Sequence, residues 1–329
     1  MDDMNTRERR PPLANEAPTQ SNKGMIDLES LMRIKSMELR ARVVMEGFMK
    51  GIHRSPFHGF SVEFTEYREY TIGDDPRYLD WKLLARSDRS YIKKYEDETN
   101  LRCHLLVDHS RSMGYQSIDY NKAEYAATLA ATLASFLFAQ GDAVGMLTFD
   151  EKIDQALPPR NRPGHLRRIM LALENTPQGE ATDLAKPLQT VAEMLNKRSL
   201  LVLISDLLAP IEMLQSRLGW LRTRGHDVVV FNVFDPAELS FNFEKPILFK
   251  DIETGEEMFI EPNEARSEYQ DKLNSHIESI QATCNGLGVD YHQFATDRPF
   301  DLALLDFLND RLHHAKQSRN QNRSGGGRV

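Results

Sequence analysis

From residue 101 onward, short apolar runs alternate with longer stretches in which apolar positions recur at helical spacing. Strand-length runs separated by amphipathic helices predict an α/β fold, a doubly wound, mostly parallel sheet flanked by helices. Strands are predicted at 102–108, 143–149, 199–206, 227–234 and 289–294, and helices at 122–140, 164–174, 184–196, 211–224 and 263–286. The run PILFKDIETGEEMFI places two apolar stretches around Thr254-Gly255 and predicts a β-hairpin. The nearest approach to a membrane segment is 123–139, but Glu124 and its many Ala and Thr residues leave it short of the roughly 20 apolar residues a span needs, which predicts a core helix.

The first hundred residues follow another pattern. Residues 1–24 are polar, charged and proline-rich, a composition that predicts disorder. In the accessory segment 25–100, Leu28, Leu31, Met32, Leu39, Val43 and Phe48 predict one amphipathic helix over 25–50, ended by Gly51. Residues 51–100 are irregular and dense in aromatic and charged groups. The α/β domain is expected over 101–310, followed by a flexible basic tail, 311–329, without an acidic residue.

Composition narrows the function. The net charge of −8 gives no electrostatic footprint for nucleic acid. Two cysteines, Cys103 and Cys284, lie far apart without metal-ligand spacing, so neither a disulfide framework nor a zinc site is expected. No apolar signal follows the opening MDDMNTRERRPP, and a cytoplasmic protein is expected, with at most peripheral contact between its basic tail and a membrane.

The chemistry concentrates at the ends of the first and third predicted strands of the domain. The first ends in Asp108-His109-Ser110-Arg111-Ser112, where an α/β sheet presents its ligand crevice. In the extended or turn backbone expected there alternate side chains point the same way, so Asp108, Ser110 and Ser112 can converge on one cation while His109 and Arg111 turn aside. The run LLVLIS ends in Asp206, and the loop GEAT offers Thr182. Such a shell of oxygens with few charges suits Mg²⁺ or Mn²⁺ and leaves the ion able to accept a carboxylate from another protein.

Asp108, Ser110, Ser112, Thr182 and Asp206, in that order, resemble the metal-ion-dependent adhesion site of von Willebrand factor A domains. The preceding segment resembles the domain-of-unknown-function 58 family, through Phe57-His58-Gly59-Phe60, Glu63-Phe64, Arg68-Glu69-Tyr70, Gly73-Asp74-Asp75-Pro76-Arg77, Asp80-Trp81 and Ala85-Arg86. The resemblance spans 26–310. It implies a von Willebrand A-like domain, a MoxR-type AAA+ ATPase as partner, an adaptor or co-chaperone role, and no established enzymatic reaction.

Plainer readings exist for the same residues. Asp108, Asp206 and the two serines could cap turns or helix starts, and Thr182 could cap the helix that follows it. The Gly73–Arg77 turn and Trp81 suit structural roles, as do His53, His58, His104, His109 and His292, expected to be satisfied core or surface histidines. An enzyme using Asp108 as a phosphoryl acceptor is the alternative class, with a hydrolase beside it, but the chain has no nucleophile elbow, phosphate loop or dinucleotide fingerprint. A structural scaffold is the third reading.

Overall fold

The computed structural model describes residues 27–54, 66–69, 91–94, 101–174, 184–195, 197–243, 245–250 and 257–300, with positions 302, 304, 305 and 307. The predicted disordered start, the basic tail, Thr182, the Gly73–Arg77 turn, Trp81, His58 and the Thr254-Gly255 turn lie outside these residues.

The central sheet has six strands: β3 (Arg102–Asp108), β4 (Ala143–Phe149), β5 (Ile153–Arg160), β6 (Leu200–Ser205), β7 (Asp227–Phe234) and β10 (Asp290–Ala295). Their order is β10-β7-β6-β3-β4-β5, parallel throughout except for β5, which pairs antiparallel with β4 at one edge. This is the mostly parallel, helix-flanked α/β sheet that the sequence pattern predicts. Its helices are α3 (Lys122–Ala139), α4 (His165–Leu173), α5 (Ala185–Met194), α6 (Ile211–Thr223), the short α7 (Pro236–Ser240) and α8 (Pro262–Leu287). β3 and β6 are apolar and buried along their length because both faces are covered. One core joins α3, α4 and Phe300, Leu304 and Phe307 to the sheet. The other lies under α5, α6 and α8.

Strand β5 is absent from the predicted elements. Its exposure alternates and it carries Pro158 and Pro159, which lack a ladder donor and are tolerated only where a strand lies at an edge. Its pairing with β4 shifts register between Val144 and Met146. There the edge strand comes so close that a Cβ on Gly145 would stand 2.7 Å from the Leu157 carbonyl oxygen, which explains the glycine. The predicted hairpin is present as β8 (Ile247–Lys250) paired with β9 (Glu257–Ile260). Phe249 packs on Phe241 and Phe243, while Leu248, Met258 and Phe259 are left largely exposed.

The single helix predicted over 25–50 is two helices, α1 (Leu28–Met32) and α2 (Met37–Arg54), and α2 continues through Gly51. Asp27 caps the first through the Ser30 amide, and the Ser36 hydroxyl accepts from the Leu39 amide at the start of the second. The break resets the helical phase. Met37, Ala41, Val44 and Phe48 therefore face inward and Leu39 is exposed. This helix lies on α3, with Phe48 edge-on to Phe136 and the Arg40 guanidinium donating to Thr128 Oγ1 at 2.9 Å and to the Met32 and Ile34 carbonyls. Helix α3 is thus enclosed between α2 and the sheet, which is why it is apolar on nearly every side. Of the remaining accessory segment, Glu66–Glu69 (β1) and Tyr91–Lys94 (β2) form a two-stranded antiparallel sheet.

Candidate functional site

Parallel pairing of β3 with β6, Val107 opposite Ile204, brings Asp108 and Ser205 side by side at the carboxyl end of the sheet and sets Asp206 one residue beyond. Residues about one hundred positions apart thereby share one crevice. Beyond Asp206 the chain turns sharply through Leu207, a buried residue at φ 52°, a left-handed conformation that costs a β-carbon-bearing residue roughly 1–3 kcal/mol. The Leu207 amide donates to Ser205 Oγ at 3.0 Å, and that hydroxyl donates to Asp108 Oδ2 at 2.5 Å. The Ser110 amide donates to Asp108 Oδ1 at 2.8 Å. Both oxygens of Asp108 are thus fixed in place.

Ser110 stands at the N-cap of a short 3₁₀ turn, Arg111–Gly114, and its Oγ lies 3.1 Å from Ser112 Oγ. Oxygens coordinated side by side around Mg²⁺ at about 2.1 Å stand roughly 3 Å apart, so this hydroxyl pair has the spacing of two neighbouring ligands. Asp108, Ser110 and Asp206 are almost fully buried, and Ser112 is partly exposed at the mouth. Burial, and after it the charge of Asp206, hold the Asp108 carboxyl well above the usual carboxylate range. Two buried carboxylates together with two hydroxyls are a donor set that fits one hard divalent cation. Asp108, Ser110 and Ser112 would hold it, with Asp206 close by. No group of three or more His, Cys, Asp or Glu side chains with metal-binding geometry occurs among the described residues, so the fit rests on hydroxyls as much as on charge.

Three further residues complete the site, and none was singled out from the sequence. Ser205 positions Asp108, as above. Lys122, at the first position of α3, is buried to 1% exposure and donates to Asp206 Oδ2 at 2.9 Å and to Glu238 Oε1 at 2.7 Å. Glu238 closes a capping box on Asp235, accepting from its amide at 2.8 Å. Asp235 accepts from the Ser117 amide at 2.7 Å and from the Ser117 hydroxyl. A lysine opening an otherwise apolar, alanine-rich helix directly after its Asn121 cap was the signal available in the sequence.

The histidines divide. His109 is buried, and burial lowers its pKa. His104, at the opposite end of β3, departs from the expectation of a satisfied histidine, because its Nδ1 has no hydrogen-bond partner among the described residues. It lines an apolar cavity of 490 Å³ with Leu147, Val191 and Met194. Burial, then His226 and Arg102, push its pKa down to about 4 from 6.5. The unfolded chain protonates this ring near 6.5 while the folded state keeps it neutral, so the unfolded state binds more protons in between and stability falls as pH drops through that window. The loss is expected to reach about 3 kcal/mol at pH 4. Urea titrations at pH 7 and pH 4.5 check it, with His104→Leu expected to show a distinctly smaller difference between the two.

The family model for "Protein of unknown function DUF58" matches residues 66–279, about two thirds of the chain. The chain belongs to the DUF58 family. Among the relatives of this DUF58 chain, "Uncharacterized protein Rv1480" of Mycobacterium tuberculosis is 24% identical over 313 residues, covering 94% of this chain and 98% of that protein. "Uncharacterized protein MAV169" of Mycobacterium avium is 26% identical over 155 residues, covering 47% and 90%. Solved structures similar to it include an aerotolerance-related membrane protein from Bacteroides fragilis (TM-score 0.45, 18% identity, 64% of this chain and 99% of that one). The VWA domain of SpRpn10 is similar at a TM-score of 0.37 and 10% identity, over 61% of this chain and 92% of that one. No helix among the described residues is long and apolar enough to cross a membrane.

Proposed function

We propose that this DUF58 chain is a cytoplasmic, metal-dependent protein-binding adaptor that holds a partner's carboxylate at the Asp108–Asp206 crevice. The observation that carries the reading is the convergence of two buried carboxylates and a 3.1 Å hydroxyl pair at the ends of adjacent parallel strands. Mg²⁺ or Mn²⁺ bound there would present an open position to an Asp or Glu of the partner. Thr182 is assigned as a further ligand by the sequence pattern alone. Asp108 is assigned as a holder of the ion, its two oxygens oriented by the Ser110 amide and the Ser205 hydroxyl. Leu248, Met258 and Phe259 on the hairpin that follows β7 in the chain are exposed and add apolar area for a protein partner. The family resemblance names that partner as a MoxR-type AAA+ ATPase, with this chain as its adaptor or co-chaperone.

Lys122 is the one observation that favours phosphoryl transfer, since an ammonium beside a carboxylate can bind phosphate. Its position on Asp206 and Glu238, however, leaves it engaged away from Asp108.

The test is affinity capture from the native cell with wild type and Asp108→Ala, each in Mg²⁺ and in EDTA. An AAA+ ATPase is expected with the wild type in Mg²⁺ and in none of the other three samples. The same proteins retained under all four conditions would overturn metal-bridged recognition.

A further inference from the structure

Lys122 sits where the metal reading least expects a cation. Its side chain is 1% exposed and its ammonium lies 2.9 Å from Asp206, which the sequence pattern assigns to the divalent ion. The other contact, Glu238, is partly buried and is held in turn through the Asp235 amide. Asp235 is fully buried and anchors Ser117 in the loop leading to α3. Among the described residues, four carboxylates, Asp108, Asp206, Asp235 and Glu238, therefore stand with the one ammonium of Lys122.

A buried ammonium without partners is strongly unfavourable, so the lysine is retained here only because its carboxylates are in place. By bonding Asp206 Oδ2 it removes one oxygen from those open to an incoming ion. Its positive charge also opposes a dication a few ångströms away, in surroundings where such repulsion is weakly screened. Glu238 acts in the opposite sense by drawing the ammonium away from Asp206.

We propose that Lys122 is a built-in counter-cation that competes with a divalent ion for Asp206, so that the Lys122–Glu238 pair sets how tightly the crevice holds metal. The inference rests on the metal-site reading above and goes beyond it in assigning the affinity of the site to a residue outside the ligand pattern. With the lysine on Oδ2, Asp206 has Oδ1 left to offer the ion, an oxygen that faces the Leu208 amide at 3.5 Å, and the metal is held weakly enough for a partner's carboxylate to complete its shell.

The experiment is calorimetric titration of the full-length chain with MnCl₂ and with MgCl₂, with near-UV circular dichroism reporting native packing. Lys122→Met is expected to bind Mn²⁺ at least tenfold more tightly than wild type. Lys122→Gln, which keeps a donor for Asp206 without the charge, serves if the methionine variant does not fold and is expected to shift in the same direction. Lys122→Arg restores the charge and is expected to fall within about threefold of wild type, whereas a purely structural lysine would leave all folded variants alike. Wild type that binds metal while the neutral variants bind no more tightly overturns the competition and leaves the metal-site reading standing. Metal bound by the neutral variants and not by wild type upholds the competition and sinks metal-bridged recognition by the native chain. No binding by any of them overturns both.

Discussion

Asp108→Asn is expected to abolish the stabilisation that Mg²⁺ would confer at the proposed site while leaving the metal-free protein at least as stable as wild type. A ligand that binds only the folded state stabilises it by about 2.7 kcal/mol at a hundredfold excess over its Kd. The variant should show none of this gain. Without metal the sign reverses, because Asp108 and Asp206 are buried together and the Asp108 carboxyl is raised first by burial and then by its neighbour's charge. A neutral amide of the same shape removes that repulsion and still accepts from the Ser110 amide or the Ser205 hydroxyl. Thermal or urea unfolding of both proteins, with Mg²⁺ and with EDTA, gives the four numbers needed. An equal response to Mg²⁺ in the two proteins would mean that the ion binds elsewhere.

Phe231→Ala is expected to cost about 3–5 kcal/mol, enough to remove much of the stability of an ordinary domain. Phe231 lies in the middle of β7 with no solvent exposure. Its ring meets Phe294 edge-on at 5.2 Å, Phe307 at 5.7 Å and His292 at 5.6 Å. The truncation leaves a void bounded by the neighbouring strand β10 and the chain after it, neither of which can collapse inward without breaking the β7–β10 ladder. Urea unfolding measures the loss. Partner capture by the fraction that remains folded should be unchanged, since Phe231 belongs to the core under α3 and not to the crevice.

The strands that were read correctly are apolar because helices cover both their faces, and burial of that kind writes itself into every position. Strand β5 was missed for the converse reason. An edge strand alternates, tolerates Pro158 and Pro159, and looks like a loop. The break between α1 and α2 carries no glycine or proline, because capping of the second helix by Ser36 needs neither. The phase of α2, with Leu39 outward and Ala41 and Val44 inward, followed from that break.

For the candidate site, the sequence by itself determined the chemistry at each strand end: Asp108 with its two alternating serines, and Asp206 closing an apolar run. Residues two apart are close neighbours whatever the backbone, so a stretch of five residues carries this chemistry even though β3 ends at Asp108 and Ser112 stands on the 3₁₀ turn. Only the tertiary structure decided that β6 lies beside β3, that Ser205 fixes Asp108, and that Lys122 and Glu238 reach the same crevice from α3 and α7. Hydrophobic periodicity says which face of a strand is buried and nothing about which strand lies next to it, because one apolar strand pairs with another equally well. Contacts between residues about one hundred positions apart are therefore set by the order in which the sheet assembles, and that order exists only once the chain has folded.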